Sequence, residues 1–471
     1  MVANEKWFGA SAGFYPETID QSLRFDRASS SYLRRTGISS SGTNQKKVTI
    51  SMWLKLSQNT SSSLYNIISQ GSNNNNRSVL YFYNSQFRYD HIVSSANNTI
   101  VFSPKLRDFT NFYHIAVTVD MTQSSNADKV HFYLNGVRQS ISSSSYVSTN
   151  TDTYFNGTND VSLGTGSTIS SLYDGYMAEI NMLDGITVGA TQDSNGDYII
   201  DEFGEMKNGV WIPKAYSGSY GTNGFRLTFG NSSAIGEDSA GSNDFGTVSN
   251  IDATDVVLDS PVNNFCTLNP LNTNDNAGQA TISRGNLRFV SGSTVRGFTT
   301  GTMKVTGKVY FEVLSKDGNN GFAGIQNITN NAGGSTAGQS LDFYNGTPRI
   351  DGSAQSGTGT FSDGDIMGVK VDVDAKSIEF FRNNSSVYSG NYTTDAEYFP
   401  FLYDSSGGRS SDNIANFGQD SSFTGEKTSG SANAQDDNGQ GDFYYTPPSG
   451  FLALCSSNLP DTTLSPNQSE Q

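Results

Sequence analysis

The chain has 471 residues, 29 Lys+Arg against 45 Asp+Glu, and a formal net charge of −16. Only 16% of its residues are charged, against roughly 25% in an ordinary soluble domain, yet 12% are aromatic and 49 are glycine. Such a chain lacks the basic footprint needed for nucleic acid and is repelled by anionic membrane surfaces; no apolar run is long enough for membrane insertion. Disordered chains are aromatic-poor and charge-rich, so this composition instead fits short aromatic strands joined by polar turns, an all-β fold.

Met1–Gly13 has no apolar core, so no signal peptide is expected. A role outside a cell would then need another route, such as assembly into a particle. Residues 1–20 hold Trp7, Phe8, Phe14 and Tyr15 and read as an attachment or capping segment.

From Ser22 strand patterns arrive every 8–12 residues. They run through SLRFD (22–26), SYLRR (31–35), KVTISMWLKLS (47–57), NIISQG (66–71), VLYFYN (79–84) and QFRYDHIV (86–93). FYHIAVTVD (112–120), KVHFYLNGVRQ (129–139), DVSLGTG (160–166) and YMAEINMLDG (176–185) complete the block. Period-two alternation with Asn/Gly/Ser turns is the signature of antiparallel sandwiches, and Asn84-Ser85 predicts a tight hairpin. Residues 187–264 are less periodic and read as a connecting module. Strands resume with GNLRFV (285–290), GKVYFEVLS (307–315) and DGDIMGVKVDVDAKSIEFFRNNSSVYSG (363–390), then continue to FYYTPPSGFLALC (443–455). Residues 424–442 read as a solvated loop and 461–471 as a polar tail.

Three pieces of the first block, TISMWLKL, NFYHIAVTVD and VHFYLNGVRQ, resemble the laminin-G/pentraxin type of concanavalin A-like jelly roll across about 21–186. The resemblance implies that Trp53 packs in the core and that Asn135-Gly136 makes a hairpin turn. From 265 to 460, GDIMGVKVDVDAKSIEFFRNN with NFGQDSSF and PPSGFLAL resembles a SPRY (B30.2-like) sandwich, with Asn383-Asn384 replacing the usual Asn-Gly. Between them, GVWIPKAYSGSYGTNGF and DSPVNNFCTLNPL resemble a stretch of marine tailed-phage virion proteins. The fold expected is therefore two antiparallel β-sandwiches joined by an irregular β-rich module.

Candidate chemistry is sparse. Glucanases of the jelly-roll type align Glu-x-Asp-x-x-Glu along one strand, whereas here Glu179 stands alone with Asn181 at the next same-face position. His91, His114 and His131 fall in strand patterns, where a structural role outweighs catalysis, so no catalytic residue is assigned. Asp193, Asn195, Asp197, Ile199 and Asp201 have the oxygen spacing of a calcium loop, with the Ile199 carbonyl at position 7. Tyr198 stands where that loop needs Gly and Gly204 where it needs Glu, so the alternative is a plain Asx-turn loop; calcium is the one candidate cofactor. Carbohydrate recognition needs exposed aromatics beside Asn, Asp and Arg, and Tyr146, Tyr216 and Tyr220 in the loops 142–146 and 216–225 offer them, as packing residues or as sugar contacts. Cys266 and Cys455 are the only cysteines, buried thiols or a bridge closing the second sandwich.

The expectation is a non-enzymatic virion-surface protein, tail-fibre-like or on the capsid, that recognises host surface polysaccharide. Its partners would be other virion structural proteins and further copies of itself, a trimer by analogy with fibres. The alternatives are a decoration or cement protein of capsid or tail, and a glycan depolymerase.

Overall fold

A computed structural model describes residues 15–57, 63–275, 281–291, 297–316, 321–327, 340–344, 346–356, 359–404, 411–428 and 434–459. The N-terminal aromatic cluster up to Phe14 and the polar tail lie outside these residues. The described chain is all-β apart from three single-turn 3-10 segments. Its largest sheets are antiparallel and pack as two sandwiches.

In the first sandwich a front sheet has at its centre Tyr113–Asp120, Lys47–Leu56, Gly175–Asp184 and Ser22–Phe25, in that order. A back sheet runs from Ile141–Ser144 through Ala96–Lys105, Gln86–Val93, Asn76–Tyr83 and Leu64–Asn73 to Val161–Leu163 and Tyr32–Arg35. Alternation decides what lies between them. Val48, Ile50, Met52, Leu54 and Leu56 turn inward to meet Ile68, Leu80, Phe82 and Phe102 in the core. The hairpin turns follow from residues that accept positive φ. Asn84 and Ser85 sit at +53° and +59°, Asn135 and Gly136 at +46° and +83°, Asn383 and Asn384 at +48° and +66°. Paired positive φ values are what a two-residue hairpin with correctly twisted strands requires.

The stretch 187–264 is stitched into this sandwich. Phe225–Leu227 pairs with the Gly175–Asp184 strand, Thr247–Ser249 with Tyr32–Arg35, and Val256–Val257 with Ser22–Phe25. Trp53 is buried, but in a second apolar layer on the outer side of the front sheet, not between the sheets. Trp53 thus packs in a hydrophobic core, as the jelly-roll resemblance implies, and strand phase puts it in this outer layer, opposite to Met52 and Leu54.

The second sandwich packs two seven-stranded sheets. Lys308–Ser315 and Ile366–Asp372 lie centrally in one sheet, Gly321–Asn327 and Tyr398–Asp404 in the other. Phe265 bridges to Cys455, and the Cys266 amide donates to the Leu454 carbonyl at 2.9 Å, so the two ends of this unit meet. Both cysteines are buried free thiols, raised by burial to about 11 and about 12.

Buried polar groups hold the sandwiches together. Lys55, 1% exposed, donates to Asp259 and Asn264 at 2.8 Å each and to the Phe265 carbonyl. Arg24 bridges Asp420 at 2.7 Å and Asp255 at 3.1 Å, while Tyr176 Oη donates to the Gly285 carbonyl at 2.6 Å. Such pairs add little net stability but penalise any packing that leaves one charge unmatched. They therefore fix how the two units meet.

Candidate functional site: an aromatic and polar rim on the first sandwich

The outer side of the front sheet carries Thr49, Ser51, Trp53 and Lys55 from one strand and His114 and Ala116 from the next. Chain 186–220 covers it. Trp211, from the Gly204–Lys207/Val210–Pro213 hairpin, lies 5.7 Å from the His114 ring, and Trp53 lies 5.0 Å from it. Gly136 is needed here, because a Cβ at that position would strike the Trp211 ring. His114 Nε2 meets Ser51 Oγ at 2.9 Å, and burial pushes its pKa down to about 3, so the imidazole stays neutral within an apolar layer. His91 and His131 are likewise lowered to about 4 by burial. A lid thus closes most of this face.

At the lid's margin the cover opens onto a rim. Tyr216 and Tyr220, both half-buried, stand edge-to-face with centroids 5.3 Å apart, and Tyr216 also stacks on Phe203 at 5.2 Å. Tyr220 Oη donates to Asn181 Oδ1 at 2.7 Å. Next to Asn181 the strand bulges: Glu179 has φ +48°, and the register with Lys47–Leu56 slips between Ala178 and Asn181. Glu179 Oε1 accepts from Arg226 Nε at 2.6 Å, and Arg226 Nη2 donates to Glu17 at 2.9 Å. Burial raises the Glu179 pKa even with Arg226 opposing. Asp184, on the same strand, accepts from the amides of Thr43, Asn44, Thr222 and Asn223.

Chemically, the rim offers two aromatic rings beside an amide and an ion-paired carboxylate. Glu179 is held by a guanidinium and Asp184 by backbone amides.

Of the residues singled out from the sequence, Tyr216 and Tyr220 come together here, whereas Tyr146 packs half-buried on the inter-sheet core. Asp193 Oδ1 caps the amides of Asn195 and Asp197 at 2.8 and 3.0 Å, making an Asx turn at the tip of a hairpin. Ile199 pairs in that hairpin with Thr191 and Val137, and the Asp201 carbonyl accepts from Lys214 Nζ. Among the described residues no group of three or more His, Cys, Asp or Glu is arranged to hold a metal. Arg226, Glu17 and Trp211 escape sequence reading. Arg226 and Glu179 are 47 residues apart, and only pairing of the Phe225–Leu227 strand joins them.

Residues 28–187, 160 of the 471, match the family described as the concanavalin A-like lectin/glucanases superfamily, laminin-G type. Among solved structures the chain is similar to the SPRY domain of human HERC1, at 16% identity over 31% of this chain and 96% of that one, with TM-score 0.28. It is also similar to the TRIM65 PSpry domain, at 15% identity over 32% and 91%, TM-score 0.26. A third is the heptameric SAP-like pentraxin from Limulus polyphemus, at 12% identity over 36% and 77%, TM-score 0.27. No curated protein matches the chain.

Proposed function

We propose that this chain is a non-catalytic surface protein of a tailed-phage virion, present in several copies beside other virion proteins, that recognises host surface polysaccharide. Three things support the carbohydrate part: the concanavalin A-like match over 28–187, the Tyr216–Tyr220 pair beside Asn181, and the engagement of Glu179 and Asp184 elsewhere. The tyrosine pair carries most weight. Aromatic rings fixed by packing, with polar groups alongside, suit the apolar face and the hydroxyls of a sugar. Avidity from repeated copies would make weak single contacts sufficient. The virion setting is supported by the 209–225 and 259–271 strings resembling phage virion proteins. Immunogold labelling of intact particles, together with inhibition of host adsorption by the purified chain, tests this reading. Surface labelling with inhibited adsorption is expected. Absence of the chain from particles rejects the virion role, and surface labelling with unaffected adsorption favours a decoration protein.

A further inference from the structure

Lys55 belongs to the front-sheet strand Lys47–Leu56 of the first sandwich, and its side chain reaches the segment 259–265 that leads into the second. Its ammonium is enclosed there. Nζ lies 2.8 Å from Asp259 Oδ2, 2.8 Å from Asn264 Oδ1 and 3.1 Å from the Phe265 carbonyl oxygen. The Phe112 and Tyr176 ring centroids stand 5.7 and 5.8 Å from it. Asp259 is fully buried and Asn264 nearly so.

An ion pair needs only the amine and the carboxylate. The third member here is a side-chain carboxamide, which sets a nucleophile beside an acyl group. A C=O bond is about 1.23 Å long, so Asn264 Cγ lies within about 4 Å of Lys55 Nζ, next to the ~3–3.5 Å of a near-attack arrangement. The carboxamide is held from both ends. Its Oδ1 accepts from Lys55, and its Nδ2 donates to the Thr110 carbonyl at 2.7 Å and to Asn111 Oδ1 at 3.3 Å. Asp259 is held as well. Its Oδ1 accepts from the Phe265 amide at 3.0 Å, which leaves Oδ2 to the amine. Burial raises the Asp259 pKa even with Lys55 opposing, so this carboxylate takes up a proton more readily than an exposed one.

We propose that Lys55 and Asn264 become joined by an isopeptide bond, formed within the chain itself with Asp259 as the proton carrier. Asp259 Oδ2 accepts a proton from the Lys55 ammonium, and the freed amine lone pair forms a bond to Asn264 Cγ. The Cγ–Nδ2 bond then breaks with its electron pair remaining on nitrogen. Two protons pass in all from the lysine nitrogen through Asp259 to the departing nitrogen, which leaves as ammonium past the exposed Asn111. One amide replaces another, charge is conserved, Asp259 ends ionised, and no oxidant or cofactor is required. The enclosing rings exclude the water that would compete with the amine. The bond ties the first sandwich to the entry of the second across 209 positions of sequence, whatever ligand the protein binds.

Mass spectrometry of the unaltered full chain tests this without any variant. The denatured chain should be lighter than its sequence by one ammonia, and proteolysis should release a branched peptide joining the segments that carry Lys55 and Asn264. Asn264→Ala should keep the full mass of its sequence, and Asp259→Asn should slow formation about a hundredfold or more, the scale of a lost proton-transfer group. Should either variant misfold, the branched peptide of the unaltered chain still decides. Full mass with Lys55 and Asn264 in separate linear peptides overturns the proposal, as does an ammonia loss that maps to a succinimide at another asparagine. Undiminished formation in folded Asp259→Asn overturns the proton route.

Discussion

Replacing Asp174 by Asn should make the first sandwich more stable at pH 8 than the unaltered chain, and leave it unchanged near pH 4. Asp174 immediately precedes the Gly175–Asp184 strand and is 4% exposed, and its Oδ1 has no hydrogen-bond partner. The pairing of Phe25 with Gly175 brings Asp26 alongside. Burial first, and then the Asp26 charge, push the Asp174 pKa from 3.8 to about 7, with Arg27 pulling weakly the other way. Because the folded value lies above the unfolded one, the protonated form is the one that folding favours. Its contribution is complete below pH ~4 and is lost as pH rises through about 7. At about 1.4 kcal/mol per pH unit the loss is at most about 4 kcal/mol, and relaxation brings it to about 2–4 kcal/mol. Asparagine keeps the shape without the charge and escapes that loss. Denaturant unfolding of both chains from pH 4 to 9, followed through the first sandwich's transition, measures the difference. A stability gap that does not change with pH, or an unaltered chain relatively more stable at pH 8, refutes the reasoning.

Lys55→Met leaves Asp259 charged, buried and unpaired, so thermal unfolding should report a loss of about 3–5 kcal/mol, partly restored by adding Asp259→Asn. Gly285 has φ +68°, and a Cβ there meets Tyr176 Oη and Arg24. Gly285→Ala should therefore cost about 2 kcal/mol or more and split unfolding into two transitions as the sandwiches uncouple. Thiol titration at pH 8 should find Cys266 and Cys455 unreactive in the native chain and two reactive thiols after denaturation; fewer than two would show a bridge.

The parts of the fold legible in the sequence are those encoded locally. Alternation along Val48–Leu56 and the Asn-centred turns needs only neighbouring residues, and these placed the strands and hairpins of both sandwiches. The stretch 187–264 looked like a linker because its strands are two to four residues long, too short for period two to register; their partners lie up to about 230 residues away. Across 193–201 the local backbone decides the shape of the loop. Gly196, at φ +85°, turns the chain early, so Asp193 caps its own turn and Tyr198 is already in a strand. At the rim, Tyr216 and Tyr220 were legible as loop aromatics, but Arg226 on Glu179 was not, since that contact exists only once a bulge has turned Glu179 outward.

Equilibrium binding of the full chain to host surface polysaccharide, with reducing ends measured in the same samples, tests the central claim most directly. The expected result is saturable binding that Tyr216→Ala weakens about tenfold at the rim, the scale of a lost aromatic contact, with no new reducing ends. Release of oligosaccharide that stops on Glu179→Gln would instead make the rim a hydrolytic centre, and binding indifferent to Tyr216→Ala would remove the rim from recognition.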